Sequence, residues 1–267
     1  MLENAIKTSD NILVVTGAGI STSSGIQAWR TGEDAVWAND VLEKGTQRYF
    51  NRNQAKAWEW YLEKFKGVFT LEPNDAHKAL VGLESWCESE GKTFDIITQN
   101  VDHLHNKAGS NNVIEIHGTT NAVRCPNHGC DHGAPRGSIP MSEVWADYQK
   151  FEQTKDPNDL PCCPKCDVPL RAHALWFDEF YGAHKDYRLD DAMEAIENAD
   201  VVVFIGTSFS VGITAMVVQA GRQMRKPMYI IDPSPTQESR SFKYITEKAE
   251  DYLPNLVQQL TVEGIQH

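Results

Sequence analysis

The chain has 267 residues, enough for one large α/β domain with an insertion or for about two domains of ordinary size. Hydrophobic residues make up 41% and charged residues 23%, a globular balance that excludes disordered, collagen-like and fibrous chains. The formal net charge of −12, from 25 Lys and Arg against 37 Asp and Glu, makes it a poor phosphate-backbone binder, because neutralising phosphates needs clustered cations.

In chain order, the first expected strand is Ile12 to Thr16, apolar enough to be covered on both faces. It runs into Gly17-Ala18-Gly19-Ile20-Ser21 and then Ser24-Gly25. Such a glycine pair lets the backbone turn tightly and present amides to a phosphate. A tight turn with no ligand has the same pattern, and Thr22 stands where a dinucleotide fingerprint has its third glycine. From about Trp37 to Thr70 the chain reads as aromatic-rich helices, with Trp58, Leu62 and Phe65 on one face. A strand at Asp95 to Thr98 leads into Gln99-Asn100-Val101-Asp102-His103-Leu104-His105, where Asn100 and Asp102 point an amide and a carboxylate into one crevice. A strand at Val113 to Ile116 ends at His117-Gly118. A histidine there suits a general base, since its pKa lies near operating pH, although a lone histidine can equally be structural.

From about Arg124 to Arg171 the sequence is rich in Cys, Pro and Gly with little periodicity. Cys125-x4-Cys130 and Cys163-x2-Cys166 match a closed, tetrahedral structural zinc site, with Cys162 able to replace Cys163, and His128 or His132 able to replace Cys130. A helix at Leu189 to Asn198 precedes the strand Val201 to Ile205 and the turn Gly206-Thr207-Ser208, which can hold phosphates or cap the next helix. A helix at Thr214 to Met224, a strand at Met228 to Ile231 and a helix at Asp251 to Leu260 complete the pattern. Strands alternating with helices imply one doubly wound α/β domain around a parallel sheet, interrupted by a small helical module and a small metal module. No apolar run approaches the roughly 18 residues of a membrane span, and Met1-Leu2-Glu3-Asn4 shows no export signal, so a soluble, cytoplasmic chain is expected.

Together, Gly17 to Ser21, Thr98 to His105, His117-Gly118, the four cysteines, Leu170-Arg171 with Trp176-Phe177, and Gly206-Thr207-Ser208 occur in the order found in sirtuins, which the chain resembles from about residue 11 to 260. The resemblance implies an NAD-dependent protein lysine deacylase that yields nicotinamide and O-acyl-ADP-ribose. It also implies a Rossmann-like large domain and a small domain made of a zinc ribbon and a helical module. The expected partition is 1–36, 73–123 and 172–267 for the NAD-binding domain, 37–72 for the helical module and 124–171 for the zinc module. By the same resemblance, Gly17, Ala18 and Gly19 cradle the pyrophosphate, and Trp29 and Arg30 close over NAD. Gln99 contacts ribose, and Asn100 and Asp102 line the nicotinamide pocket, Asn100 taking part in catalysis. His117 is the base, Gly206, Thr207 and Ser208 hold the adenosine side, and Asp232 accepts from ribose hydroxyls. Cys125, Cys130, Cys163 and Cys166 would hold zinc, and Trp176 and Phe177 would meet an acylated lysine protein or peptide. No nucleic acid or membrane partner is implied.

The chain departs from the family pattern at Gln27-Ala28-Trp29-Arg30, at Phe177-Asp178-Glu179 and at Asp232. The first two favour, as a second reading, an NAD glycohydrolase or ADP-ribosyl transferase on the same fold. A non-catalytic NAD-sensing module is a third, opposed by the presence of His117, Asn100 and Asp102. In the helical module, Tyr61 and Lys64 stand where sirtuins that remove acidic acyl groups carry a Tyr and an Arg. The i, i+3 spacing puts them on one helix side, and desuccinylation is therefore expected beside deacetylation.

Overall fold

Apolar, β-branched strands need cover on both faces, and a parallel sheet flanked by helices supplies it. The computed structural model describes residues 1–26, 41–235 and 239–264. In it, β1 (Asn11–Thr16), β2 (Thr93–Thr98), β3 (Val113–Glu115), β7 (Val201–Ile205), β8 (Met228–Ile231) and β9 (Phe242–Ile245) form one parallel sheet in the order β3-β2-β1-β7-β8-β9. The strand order reverses between β1 and β7, the topological switch point at which doubly wound sheets open a crevice.

Alternation along the strands divides the core. Ile12, Val14, Ile96, Val203 and Ile205 face α1 (Leu2–Thr8), α4 (Asp75–Ser89) and α9 (Ala249–Gly264). Leu13, Val15, Ile97, Val202 and Phe204 face α7 (Leu189–Asn198) and α8 (Gly212–Gln223). Each fully buried side chain of this size contributes about 1.5–3 kcal/mol, so neither layer of helices is dispensable. Helix α4 starts where it does because the Asn74 side chain accepts from the Ala76 and His77 amides. Among the described residues no helix is long and apolar enough to cross a membrane.

A second sheet is antiparallel, with order β5-β4-β6, from β4 (Gly118–Arg124), β5 (Ile139–Pro140) and β6 (Arg171–Ala174). It shares a core with α2 (Gln47–Arg52), α3 (Gln54–Phe65) and α6 (Met141–Thr154). Trp58 and Leu62 are buried there and Phe65 packs against them. Trp58 lies 3.9 Å from the Tyr148 ring centre and donates Nε1–H to the Leu170 carbonyl at 2.6 Å.

Several elements go beyond the sequence reading. Helices α1, α4 and α5 (Leu104–Ala108), strand β9 and the β5-β4-β6 sheet were not expected, Ile116 falls just outside β3, and α6 lies inside the stretch read as aperiodic. Helix α6 buries only Met141, Tyr148 and Phe151, spaced 7 and 3 apart on one stripe.

Candidate functional site

The loops after the two central strands interlock. The Gly17 amide donates to the Ile205 carbonyl at 3.1 Å and the Gly19 amide to the Gly206 carbonyl at 2.9 Å. A Cβ on Gly19 would sit 2.5 Å from the Gly206 Cα. One on Gly206, whose φ is +58°, would sit 2.4 Å from the Ile20 nitrogen. These glycines are required by backbone meeting backbone. Ala18 and Gly19 remain partly exposed along the rim.

Strand β2 delivers the polar side chains. Gln99 Nε2 donates to the Thr16 carbonyl at 3.2 Å and to Thr207 Oγ1 at 3.0 Å, so Gln99 and Thr207 act as one bridge across the switch point. Asn100 and Asp102, each 8% exposed, converge on the hydroxyl of Ser21. Ser21 donates to Asp102 Oδ2 at 2.8 Å and accepts from Asn100 Nδ2 at 3.2 Å, while Asn100 Nδ2 also reaches the Gly17 carbonyl at 3.2 Å. Burial pushes the Asp102 carboxyl up, against the Leu104 amide and the Ser21 hydroxyl, which hold it down.

His117, just past β3, is half-buried. Its Nδ1 lies 2.8 Å from the Gln99 carbonyl, which only accepts, so Nδ1 carries the proton and Nε2 keeps a lone pair. Burial pushes its pKa below the ordinary histidine value, and the Gln99 carbonyl offsets part of that. Gly118 (φ +76°) follows because a Cβ there would overlap the His173 carbonyl at 2.1 Å.

Asp232 directly follows β8; its Oδ1 accepts from the Ser234 amide at 2.8 Å, and its own amide donates to the Ile245 carbonyl at 3.1 Å. Ser208 is exposed and bonds Ser210 at 2.6 Å. Trp29, Arg30 and the Gln27-Ala28 departure lie outside the described residues.

Beyond the crevice, Trp176 lies under the guanidinium of Arg171, 3.4 Å from its ring centre, while Phe177 is 54% exposed. Asp178 accepts from the Gln47 amide at 2.7 Å and the Arg48 amide at 3.1 Å, so the charge that departs from the family pattern caps α2. Glu179 sits between Arg171 and Arg124, with contacts of 2.7, 2.8 and 3.0 Å. Burial pushes its carboxyl up, but Arg171 and Arg124 outweigh this and hold it below the ordinary range.

Tyr61 is buried with its hydroxyl unpartnered, in a gap of about 10 Å³ that Phe50, Lys44 and Trp176 also line. Lys64 lines an adjoining pocket of about 230 Å³ with Lys44, Lys56 and Tyr49, and bonds Glu63 at 3.0 Å. The two thus border neighbouring cavities that share Lys44 and Trp60 in their walls.

The ligand atoms of Cys125, Cys130, Cys163 and Cys166 all lie within 4.8 Å of one another. Cys130 and Cys163 are 3.6 Å apart, too far for a disulfide and close to the ~3.8 Å edge of a tetrahedron of 2.3 Å zinc–sulfur bonds. Cys162 is exposed and the two candidate histidines are outside the cluster.

Sequence reasoning passed over Ser21 and His77 as site residues. His77 sits 3.4 Å from Ser21 Oγ and 4.9 Å from the His105 ring centre. Ser21 stood in the glycine motif, but nothing in the local pattern of α4 marked His77.

The family model described as the Sir2 family matches residues 17–212. An NAD-dependent deacetylase of Dictyostelium discoideum is 33% identical, covering 98% of this chain and 77% of its own length. An NAD-dependent protein deacylase of Archaeoglobus fulgidus is 34% identical over 97% of this chain and 98% of its own. Among solved structures, a complex of a Sir2 homologue with NAD superposes with a TM-score of 0.77 at 31% identity, covering 98% of this chain and 93% of that one.

Proposed function

This chain belongs to the Sir2 family and is an NAD-dependent protein deacylase, and we propose that His117 is its general base, in a crevice lined by Gln99, Asn100 and Asp102. The observation that carries this assignment is the 2.8 Å bond from Nδ1 to the Gln99 carbonyl, which puts the ring proton on Nδ1 and the proton-accepting lone pair on Nε2. Burial keeps the imidazole unprotonated, and so able to accept a proton, at neutral pH.

The residues present fit NAD. Partly exposed Ala18 and Gly19 rim the loop that ends at Ser24, whose buried hydroxyl has no partner among the described residues. When bound, NAD supplies the ADP-ribosyl group that accepts the acyl chain. Gln99, Thr207, Gly206 and Ser208 bind its ribose and adenosine side, with Asp232 accepting from ribose hydroxyls, and Gly17, Ala18 and Gly19 border the pyrophosphate. Asn100 and Asp102, fixed through Ser21, line the nicotinamide side, with Asn100 beside the reacting centre. Trp29 and Arg30, outside the described residues, are assigned to NAD binding by the family pattern alone. His117 receives the proton of a ribose hydroxyl.

Cys125, Cys130, Cys163 and Cys166 hold one zinc with all four positions filled, so the metal stabilises the small module and takes no part in chemistry. The proposed modular partition is 1–36, 73–123 and 172–267 for NAD binding, 37–72 for the helical module and 124–171 for zinc, with the β4 and β6 ends of the first unit packing into the core of the small module. The substrate is an acyl-lysine protein or peptide that meets Trp176 and Phe177. Tyr61 and Lys64 tune the acyl chain, and the buried, unpartnered Tyr61 hydroxyl supports a polar acyl end.

The test is to incubate the protein with NAD and acylated peptides and identify products by mass spectrometry. O-acyl-ADP-ribose is expected. Free ADP-ribose formed without peptide, and no acyl transfer, would overturn this reading in favour of an NAD hydrolase.

A further inference from the structure

Tyr181 opens a short 3-10 turn, Tyr181–Ala183, directly after the Phe177 to Phe180 segment. Its ring lies parallel to the His117 imidazole, at 12° with centroids 5.8 Å apart. Its hydroxyl oxygen is 3.4 Å from His117 Nε2 and accepts the Ile213 amide at 3.1 Å. Ile213 stands in the first turn of α8, whose N-cap residue Val211 offers no side-chain acceptor. The phenol therefore satisfies an amide that the helix start leaves open.

We propose that Tyr181 is a positioning residue for the general base: anchored by the Ile213 amide, its phenol lies parallel to His117 and donates its O–H toward the Nε2 lone pair, holding that lone pair aimed into the crevice. This rests on the reading of His117 as the base.

The proton inventory of the three groups leads to this direction. The Gln99 carbonyl fixes the proton on Nδ1, so Nε2 can only accept. The Ile213 amide occupies the accepting side of the phenol oxygen, so its hydroxyl is left to donate. Burial keeps the Tyr181 phenol protonated well past neutral pH, against the Ile213 amide. At 3.4 Å the contact to Nε2 is longer than an ordinary hydrogen bond, so a substrate hydroxyl can displace it without a large penalty.

A donor to the neutral imidazole disfavours its protonated form and adds to the effect of burial. Among the described residues, the neighbouring carboxylates Glu115 and Asp102 are engaged elsewhere. Glu115 on β3 pairs with His103 at 2.9 Å, and Asp102 is bound by Ser21 and the Leu104 amide. Among the described interactions only Gln99 and Tyr181 hydrogen-bond the His117 ring.

The Tyr181→Phe variant keeps the parallel ring and removes only the hydroxyl. The 15N NMR titration of His117 in the otherwise intact protein should then move up by about half a pH unit, the share of one weak hydrogen bond. The acid limb of the deacylation kcat/KM should move with it, kcat should fall by roughly tenfold, and NAD affinity by calorimetry should be unchanged. A His117 midpoint that stays put or moves down in Tyr181→Phe overturns the proposal. His117→Ala run alongside separates the two readings. If that variant deacylates normally, the base assignment fails. If it is inactive while Tyr181→Phe titrates as wild type, only the positioning role fails.

Discussion

Replacing Glu179 with glutamine removes one negative charge from between two guanidiniums that have almost no access to water. Arg171 is 0% and Arg124 2% exposed, and both lean on the same carboxylate at 2.7–3.0 Å. Oxygen Oε2 also accepts the Trp176 amide at 3.0 Å, so the change loosens the segment that carries Trp176 and Phe177. Breaking a buried pair by removing one partner costs about 3–5 kcal/mol, because the stranded charge stays desolvated. Glutamine keeps one acceptor oxygen, which puts the expected loss for Glu179→Gln near the lower end, about 3 kcal/mol. At about 2–4 °C per kcal/mol for a chain of this size, the melting midpoint should fall by about 6–12 °C. Urea denaturation followed by circular dichroism measures the loss directly. The pH dependence supplies a second check. The folded carboxyl lies below its ordinary value, so its contribution is fully present above the unfolded value of about 4.3 and is lost as pH falls through the folded one. The gap between wild type and variant should therefore close in acid. A loss under about 1 kcal/mol at pH 7, or a gap of the same size at pH 7 and below pH 4, would refute the reasoning.

Three further outcomes are expected. Gly206→Ala should destabilise the protein by at least about 2 kcal/mol and weaken NAD binding, since φ is +58° and the added carbon meets backbone at 2.4 Å. Gly67→Ala, where a Cβ meets nothing within 4 Å, is the control, and equal urea midpoints for the two would contradict this. Elemental analysis should find one zinc per chain, and Cys163→Ser should lose it together with the near-ultraviolet signal of the small module; a metal-free protein of full stability would refute the site. Lys64→Met should lower the rate on succinylated relative to acetylated versions of one peptide, and an unchanged ratio would show that Lys64 does not read the acyl group.

Which parts of the molecule were legible in the sequence follows from what each residue pairs with. The central strands announce themselves because Val201 to Ile205 and Ile12 to Val15 are apolar at every position, as two-sided burial demands. The candidate crevice was legible because its loops follow β1, β2, β3 and β7 directly, carrying Gly17, Asn100, Asp102, His117 and Gly206 in short motifs. β9 was hidden because only Phe242 of its four residues is buried, leaving no pattern to read. Helix α6 was hidden by the Cys, Pro and Gly around it. His77 joins the crevice through Ser21, 56 positions away, and Tyr181 reaches His117 across 64. Pairings of that kind depend on how the sheet folds the chain and leave no local trace. Asp178 looked like added charge on a peptide-binding segment, and only the folded chain reveals the two α2 amides it caps.

The most direct measurement is deacylation by His117→Ala alongside NAD binding by the same variant. Its kcat/KM on an acetylated peptide should fall by about 10²–10⁴-fold, because the imidazole takes a proton in the transition state. NAD should bind with nearly wild-type affinity by calorimetry, because no anchoring contact is removed. Deacylation at close to the wild-type rate would contradict the assignment of His117 as the base. So would a loss of activity fully matched by a loss of NAD binding.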